Sequence, residues 1–248
     1  MRRELERFLC AVQFFTRIPI GRWVRFDPDG FGHTMRYASV VGHLVGAGGA
    51  LAFVLAEWLW TGWLPPLVAI AATILLTGAL HEDGLADTAD GLGGGRSRAQ
   101  RLSIMKDSRL GSYGALALIF SVAGRAAALA LLSPATAIFT LIAMEGLGRA
   151  LAVCAMALPY VGDPSLSKTA PSTPSAWDIA VCGFISLWPF IFLPPLPAFA
   201  SLIAAVISAA VTAFASHRLI GGRTGDTLGA VEQVGKLGFV LAMAATPR

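Results

Sequence analysis

Apolar residues gather along this chain into runs longer and less broken than a soluble core requires. A helix that crosses a bilayer needs about 20 mostly apolar residues, within a range of roughly 17–25. Six segments reach that length: residues 40–60, 64–80, 114–132, 134–158, 179–196 and 198–216. A seventh, 237–246, is short and follows Glu232 and Lys236, so it fits either a tilted span or an interfacial helix. Near the N-terminus, Arg2, Arg3 and Arg7 flank a short apolar stretch, 8–15, that Thr16-Arg17-Ile18-Pro19 interrupts. This predicts a helix lying in the membrane interface; no small-residue cleavage site follows, which argues against a signal peptide. Trp58, Trp60 and Trp63 crowd the end of the first span like an aromatic belt. Gly42 and Gly46 form a GxxxG suited to close helix packing. The pattern predicts an all-α, polytopic transmembrane helical bundle of six to seven spans with short interfacial helices. With no internal repeat or low-complexity stretch, residues 1–248 read as one integral membrane domain.

Composition strengthens this reading. Hydrophobic residues make up 55% of the chain and charged ones 14%, against about 25% charged in soluble domains. The net charge of +4 is not a nucleic-acid footprint, because the cations follow topology. Residues 1–39 hold seven Lys and Arg, 81–113 five, 159–178 one and 217–231 two, while the connections at 61–63, 133 and 197 hold none. The positive-inside rule then places the N-terminus and the loops after the second, fourth and sixth spans in the cytoplasm. Cys10, Cys154 and Cys182 stand far apart, without zinc-like spacing, and read as free thiols.

The chemistry concentrates in the loop after the second span. It opens His81-Glu82-Asp83-Gly84-Leu85-Ala86-Asp87-Thr88-Ala89-Asp90-Gly91. Asp83, Asp87 and Asp90 are spaced i, i+4, i+7, which puts them on one face if the helix continues. Carboxylates this close repel unless a cation sits between them. Oxygen donors suit a hard ion, and Mg²⁺ is commonly held by one or two carboxylates plus substrate phosphates. The alternative is a solvated acidic turn. Glycines at 93–95 make a break, and Ser97-Arg98-Ala99-Gln100 reads as a capping box opening a short helix. That helix carries Arg98, Arg101, Lys106 and Arg109, with Asp107 and Ser108 between the last two. Arg98 and Arg101 equally satisfy the positive-inside bias alone. Carboxylate-bound metal beside Lys and Arg is the equipment of phosphoryl transfer.

Two of these stretches, residues 81–91 and Met105-Lys106-Asp107-Ser108-Arg109-Leu110-Gly111-Ser112-Tyr113-Gly114, resemble the signatures of the cobalamin synthase family, the adenosylcobinamide-GDP ribazoletransferases. Phe15-Thr16-Arg17-Ile18-Pro19 and Gly221-Gly222-Arg223-Thr224-Gly225-Asp226-Thr227-Leu228-Gly229-Ala230 also match, in family order, so the resemblance runs from about 8 to 232. Ser39-Val40-Val41-Gly42 departs from the proline-containing P-L-V-G often seen there. The resemblance implies a magnesium-dependent enzyme of the bacterial cytoplasmic (inner) membrane, its active site facing the cytoplasm. It would join α-ribazole or its 5′-phosphate to adenosylcobinamide-GDP and release GMP. Its partners would be these small molecules and the bilayer, with no nucleic acid; its oligomeric state is left open.

On this reading Asp83, Asp87, Lys106 and Arg109 carry the catalysis, and Mg²⁺ sits on Asp83, Asp87 and Asp90. Substrate contacts fall to Glu82, Asp107, Ser108, Arg17, Asp226 and Arg149. The Gly221–Gly229 loop lies on the same face as the acidic loop, where Asp226 would close the site. Arg125, Glu145 and Arg149 lie within spans, where charges normally pair and face the bundle interior; Glu145 and Arg149, at i, i+4, can pair along one helix. His81 stays open between helix-end residue and ligand, while His33, His43 and His217 read as structural. Asp163 and Lys168 read as solvated loop residues. Two other readings remain: a membrane transferase of the UbiA-like prenyltransferase or CDP-alcohol phosphotransferase kind, and a transporter. The first expects two DxxxD motifs, and only Asp83/Asp87 fits; the CDP-alcohol kind has an Ala-Arg where this chain has Ala86-Asp87. A transporter expects broken spans lined with ionisable residues.

Overall fold

The computed structural model describes residues 2–21, 24, 30–162 and 173–245. Asp163, Lys168 and the end of the short segment at 246 lie outside the described residues. The described helices are α1 (Arg2–Phe15), α2 (Phe31–Thr34), α3 (Ala38–Glu57), α4 (Leu64–Thr77), α5 (Leu80–Gly94), α6 (Arg98–Met105), α7 (Ser112–Ala130), α8 (Pro134–Ala155), α9 (Ala176–Ser186), α10 (Pro195–Ile220) and α11 (Gly225–Ala245). Short 3-10 turns at Met35–Tyr37 and Trp188–Phe192 lead into α3 and follow α9. Among the described residues, extended pairing is confined to a bridge between Tyr160 and Arg223. Five helices are long and apolar enough to cross a membrane: α3 with its lead-in, α7, α8, α10 and α11. The pair α4 and α5, bent by 93° between them, passes the same test only when taken together, as a broken span or a re-entrant loop. The chain is an all-α multi-pass bundle.

Sequence explains where helices begin and end. Prolines occupy the first turns of α4, α8 and α10, where their fixed φ suits the helix and the missing N–H is not needed. Ser97, Ser133 and Ser175 cap α6, α8 and α9 through their hydroxyls. The predicted capping box is half made: Ser97 accepts from the Gln100 N–H, while the Gln100 side chain accepts from the Arg96 N–H at 2.9 Å and not from that of Ser97. Gly42 and Gly46 seat α3 directly on α8: a Cβ at Gly46 would stand 2.7 Å from the Ile142 Cα. Between apolar helices in lipid, such close backbone approach is the main source of association. Leu75, Phe120, Phe184, Ile191 and Phe214 point outward, and Trp58, Trp60 and Trp63 stand exposed at the α3–α4 turn.

The structure departs from the apolar pattern in three places. Residues 179–196 do not form one helix: α9 ends at Ser186, and the chain passes through a 3-10 turn before α10. Pro189 lacks a donor, and Pro194 and Pro195 begin a new helix. Residues 237–245 of the short segment are the end of the 21-residue α11, because Glu232 and Lys236 find partners inside the bundle instead of marking its boundary. The acidic stretch is itself helical, as α5, and turns away from α4 at Gly78 and Ala79, both left-handed with φ of 67° and 60°. Ala79 in that conformation costs about 1–2 kcal/mol relative to a right-handed residue, and this strain sits two residues before His81.

Candidate active site

On α5 the three aspartates share a face but differ in environment. Asp83 is exposed, Asp87 half-buried and Asp90 buried. Asp87 lies within Coulombic range of Asp83, Asp226 and Asp90. Asp226 comes from the start of α11, which docks on α5 because both helices present glycine there. A Cβ at Gly84 would stand 2.7 Å from the Asp226 carbonyl oxygen, and one at Gly229 3.2 Å from the His81 Cα. Asp83 and Asp226, 143 positions apart, thus line one cavity. Among the described residues, no three of His, Cys, Asp and Glu converge closely enough to hold a metal by themselves.

Asp90 has a different local task. Its carboxylate accepts from the N–H groups of Gly111 (2.8 Å) and Gly114 (2.9 Å) at the start of α7. Side chains at either glycine would collide with that carboxylate, so the Gly-Ser-Tyr-Gly segment is shaped to receive it. The bond locks the second motif onto the first. Asn keeps one acceptor oxygen and turns an N–H donor toward the other amide, so Asp90→Asn is expected to lose one of the two bonds and cost about 1–3 kcal/mol of stability, read from thermal unfolding. Turnover of the folded variant lost well beyond that change would show that Asp90 also serves the metal; normal turnover would leave it as a cap.

The basic helix divides into two parts. Arg98 and Arg101 donate to the Ile220 (2.7 Å) and Leu219 (3.2 Å) carbonyls at the C-terminus of α10, where cations offset the helix dipole. Asp107, Ser108 and Arg109 occupy the turn between α6 and α7, with Ser108 and Arg109 exposed like Lys106 before them. The Arg109 fork grips Asp107 at 2.6 Å, and its hydrogen bonds hold the Asp107 carboxyl well below the usual range, at about 2. This turn stands outside the cavity lining. Arg17 is also exposed; its N–H donates to the Leu76 carbonyl at 2.8 Å, and its side chain lies across Gly78 at the bend.

Beneath the cavity, α5, α7, α8 and α11 enclose a charge network. His81 meets Glu232 at 2.8 Å. Arg149 meets Glu145 at 2.8 Å and Glu232 at 3.5 Å, and Lys236 meets the same two at 3.1 and 3.2 Å. Glu82 accepts from Gln233 at 2.9 Å and from Arg125 at 3.4 Å. The Glu145–Arg149 pair predicted along one helix is present, but it is part of a larger cluster. From sequence, Glu232 and Lys236 read only as residues before a short segment and Gln233 goes unmarked; their signal was two charges one turn apart with apolar residues on both sides.

The cavity, of about 190 Å³, has this network for a floor. His81 and Arg149 border it from below, and Phe14, Phe31, Met35 and Tyr160 supply apolar walls. Phe15 stacks on His81, with ring centres 5.9 Å apart, and Arg149 lies over the same ring at 5.8 Å. Helix α1, expected from sequence to be interfacial, therefore also walls the site. Arg223, also unmarked by sequence reasoning, closes the opposite side.

Comparisons with known proteins agree with the whole-chain extent of these motifs. The family described as cobalamin-5-phosphate synthase matches residues 7–244. A protein of Shewanella baltica (strain OS185), named adenosylcobinamide-GDP ribazoletransferase, is 38% identical over 245 residues, 95% of this chain and 92% of its own length. One of the same name from Leptothrix cholodnii is 38% identical over 254 residues, 98% and 96% of the two chains. No solved structure matches.

Proposed function

Because the chain belongs to the cobalamin-5-phosphate synthase family of enzymes, we propose that it joins α-ribazole, or its 5′-phosphate, to adenosylcobinamide-GDP and releases GMP. The observation that carries this reading is the meeting of Asp83 and Asp226, from two distant motifs, on one cavity beside Asp87. A ribose hydroxyl of the acceptor attacks the phosphorus on the corrinoid side of the diphosphate. The new O–P bond forms as the bridging bond to GMP breaks, and GMP leaves with the electron pair. The hydroxyl proton passes to a cavity carboxylate, Asp226 or Asp83.

Magnesium fits the donor set: crowded carboxylates repel each other, and oxygen-only ligands suit a hard cation. Two of them suffice where substrate phosphates complete the shell. Asp83 and Asp87 would hold the ion, with Asp90 next along the face. When bound, it supplies charge neutralisation for the diphosphate and the departing GMP. Arg109 and Lys106, on the exposed turn, would clamp the diphosphate from outside the cavity, Arg109 exchanging Asp107 for phosphate oxygens. Arg17 would meet substrate at the bend. Glu82 and Arg149 position the helices beneath the acids.

The test is GMP release from adenosylcobinamide-GDP by the purified protein, with either acceptor, in the presence of Mg²⁺ or a chelator. We expect release that needs both acceptor and Mg²⁺. No GMP with either acceptor would end this reading, and release that persists in the chelator would remove the metal from it.

The site would face the cytoplasm of a bacterial inner membrane, since the cations gather at its end of the bundle. A cysteine at Ser97, in a background without native cysteines, should react with an impermeant maleimide only after cells are permeabilised. Labelling in intact cells would invert the topology.

A further inference from the structure

Arg223 is 4% exposed, yet no carboxylate acts on it among the described residues. It donates to the carbonyls of Met156 (3.0 Å) and Leu158 (3.1 Å), and it lies over the Tyr160 ring at 5.5 Å. One terminal nitrogen, Nη2, is buried without a hydrogen-bond partner. Its backbone is pinned by two hydrogen bonds to the 159–161 segment: Arg223 N–H to the Pro159 carbonyl (2.8 Å) and Val161 N–H to its own carbonyl (2.9 Å). A guanidinium held this firmly, buried and lacking a counter-ion, is costly unless an anion completes it. The adjoining cavity holds a second such group: Arg149 has its Nε and Nη2 unpartnered as well. Arg149 already has two carboxylates, so the unmet charge belongs to Arg223.

The rest of the cavity indicates what carries that anion. Its volume of about 190 Å³ lies under the roughly 300–1,000 Å³ of pockets that take whole drug-sized ligands. That volume excludes a corrinoid macrocycle. The acceptors in the lining, Asp83 and Asp226, are assigned on the transferase reading to the metal and the ribose, which leaves Phe14, Phe31 and Met35 around the base with none for the N–H edge of a guanine. These three side chains suit an apolar aromatic base. The acids Asp83 and Asp226 line the same space, where a ribose hydroxyl would need a base.

We infer that this cavity seats the acceptor nucleotide, with its apolar ring among Phe14, Phe31, Met35 and Tyr160, its 5′-phosphate on Arg223 and its ribose hydroxyls toward Asp83 and Asp226. This rests on the transferase reading above and adds to it a phosphate-recognition residue outside the acidic and basic motifs. Arg223 then discriminates the phosphorylated acceptor from the free nucleoside.

The test is equilibrium binding of radiolabelled α-ribazole 5′-phosphate and of α-ribazole to the full-length protein in detergent, with GMP release measured separately. Arg223→Gln is expected to raise the Kd for the phosphate form about 10- to 100-fold, the range for losing one charged hydrogen bond. The Kd for the nucleoside should stay within about twofold, since it makes no such bond. Arg223→Lys should recover part of the difference. Equal loss for both acceptors, no loss for either, or a rise confined to the KM for adenosylcobinamide-GDP would overturn the inference. Arg223 also ties the end of α8, so a second variant guards against misfolding. Phe14 is 39% exposed, and Phe14→Ala should weaken both acceptors alike without changing the donor KM; no effect on either acceptor would likewise overturn it. Arg223-dependent nucleotide binding without GMP release would keep this subsite and reject the reaction. GMP release with Arg223-independent binding would do the reverse.

Discussion

Asp87→Asn is expected to lower GMP release at least about 10²-fold, on the order of 3–4 kcal/mol of barrier, by analogy with losing one preorganised electrostatic contact. The same change should leave thermal stability unchanged or slightly higher. Asp87 is half-buried and sits within Coulombic range of three other carboxylates. Without a cation that crowding destabilises the fold, so removing one charge relieves repulsion. Activity and stability therefore move apart, which a merely structural residue would not produce. The measurement is turnover across a range of magnesium concentrations, paired with a melting curve of the purified protein. Near-normal turnover at every concentration would remove Asp87 from the metal site.

Glu145→Leu is expected to be among the most damaging single changes in the chain, at about 3–5 kcal/mol, because it strands buried cations. The network holds three carboxylates, Glu82, Glu145 and Glu232, against Arg125, Arg149 and Lys236, with His81 beside them. Without Glu145, both Arg149 and Lys236 must share Glu232. Lys236→Met in the same protein removes the surplus charge and leaves Arg149 with Glu232, so the double variant should regain at least half of the lost stability. The readout is the thermal unfolding of detergent-purified protein for the parent, single and double variants. A single variant as stable as the parent, or a double no better than the single, would show that these contacts contribute little. Removing one member of a buried ion set costs far more than the intact set contributes, because it leaves a buried charge unpaired.

The sequence by itself determined the class of molecule. Run length and charge content are properties of the chain taken one residue after another, and they suffice to read a multi-pass helical bundle. Spacing within one helix was legible for the same reason: the common face of Asp83, Asp87 and Asp90 and the Glu145–Arg149 pair follow from helical period alone. The GxxxG of α3 and the cap at Ser97 are local as well. Other features depended on residues far apart in the chain. Asp90 looks like its two neighbours until Gly111 and Gly114 bring their N–H groups to it. Asp226 is expected from sequence to close the site from the same face, but only Gly84 and Gly229, by letting α11 lie against α5, bring it to the cavity of Asp83. Glu232 and Lys236 resemble a boundary until Glu145, Arg149 and His81 surround them. Arg223 gives no sign in the sequence that no carboxylate among the described residues reaches it. Tertiary structure alone decided these, because in a low-dielectric interior the meaning of a charge is set by which partners reach it, and helix packing, not chain order, chooses those partners.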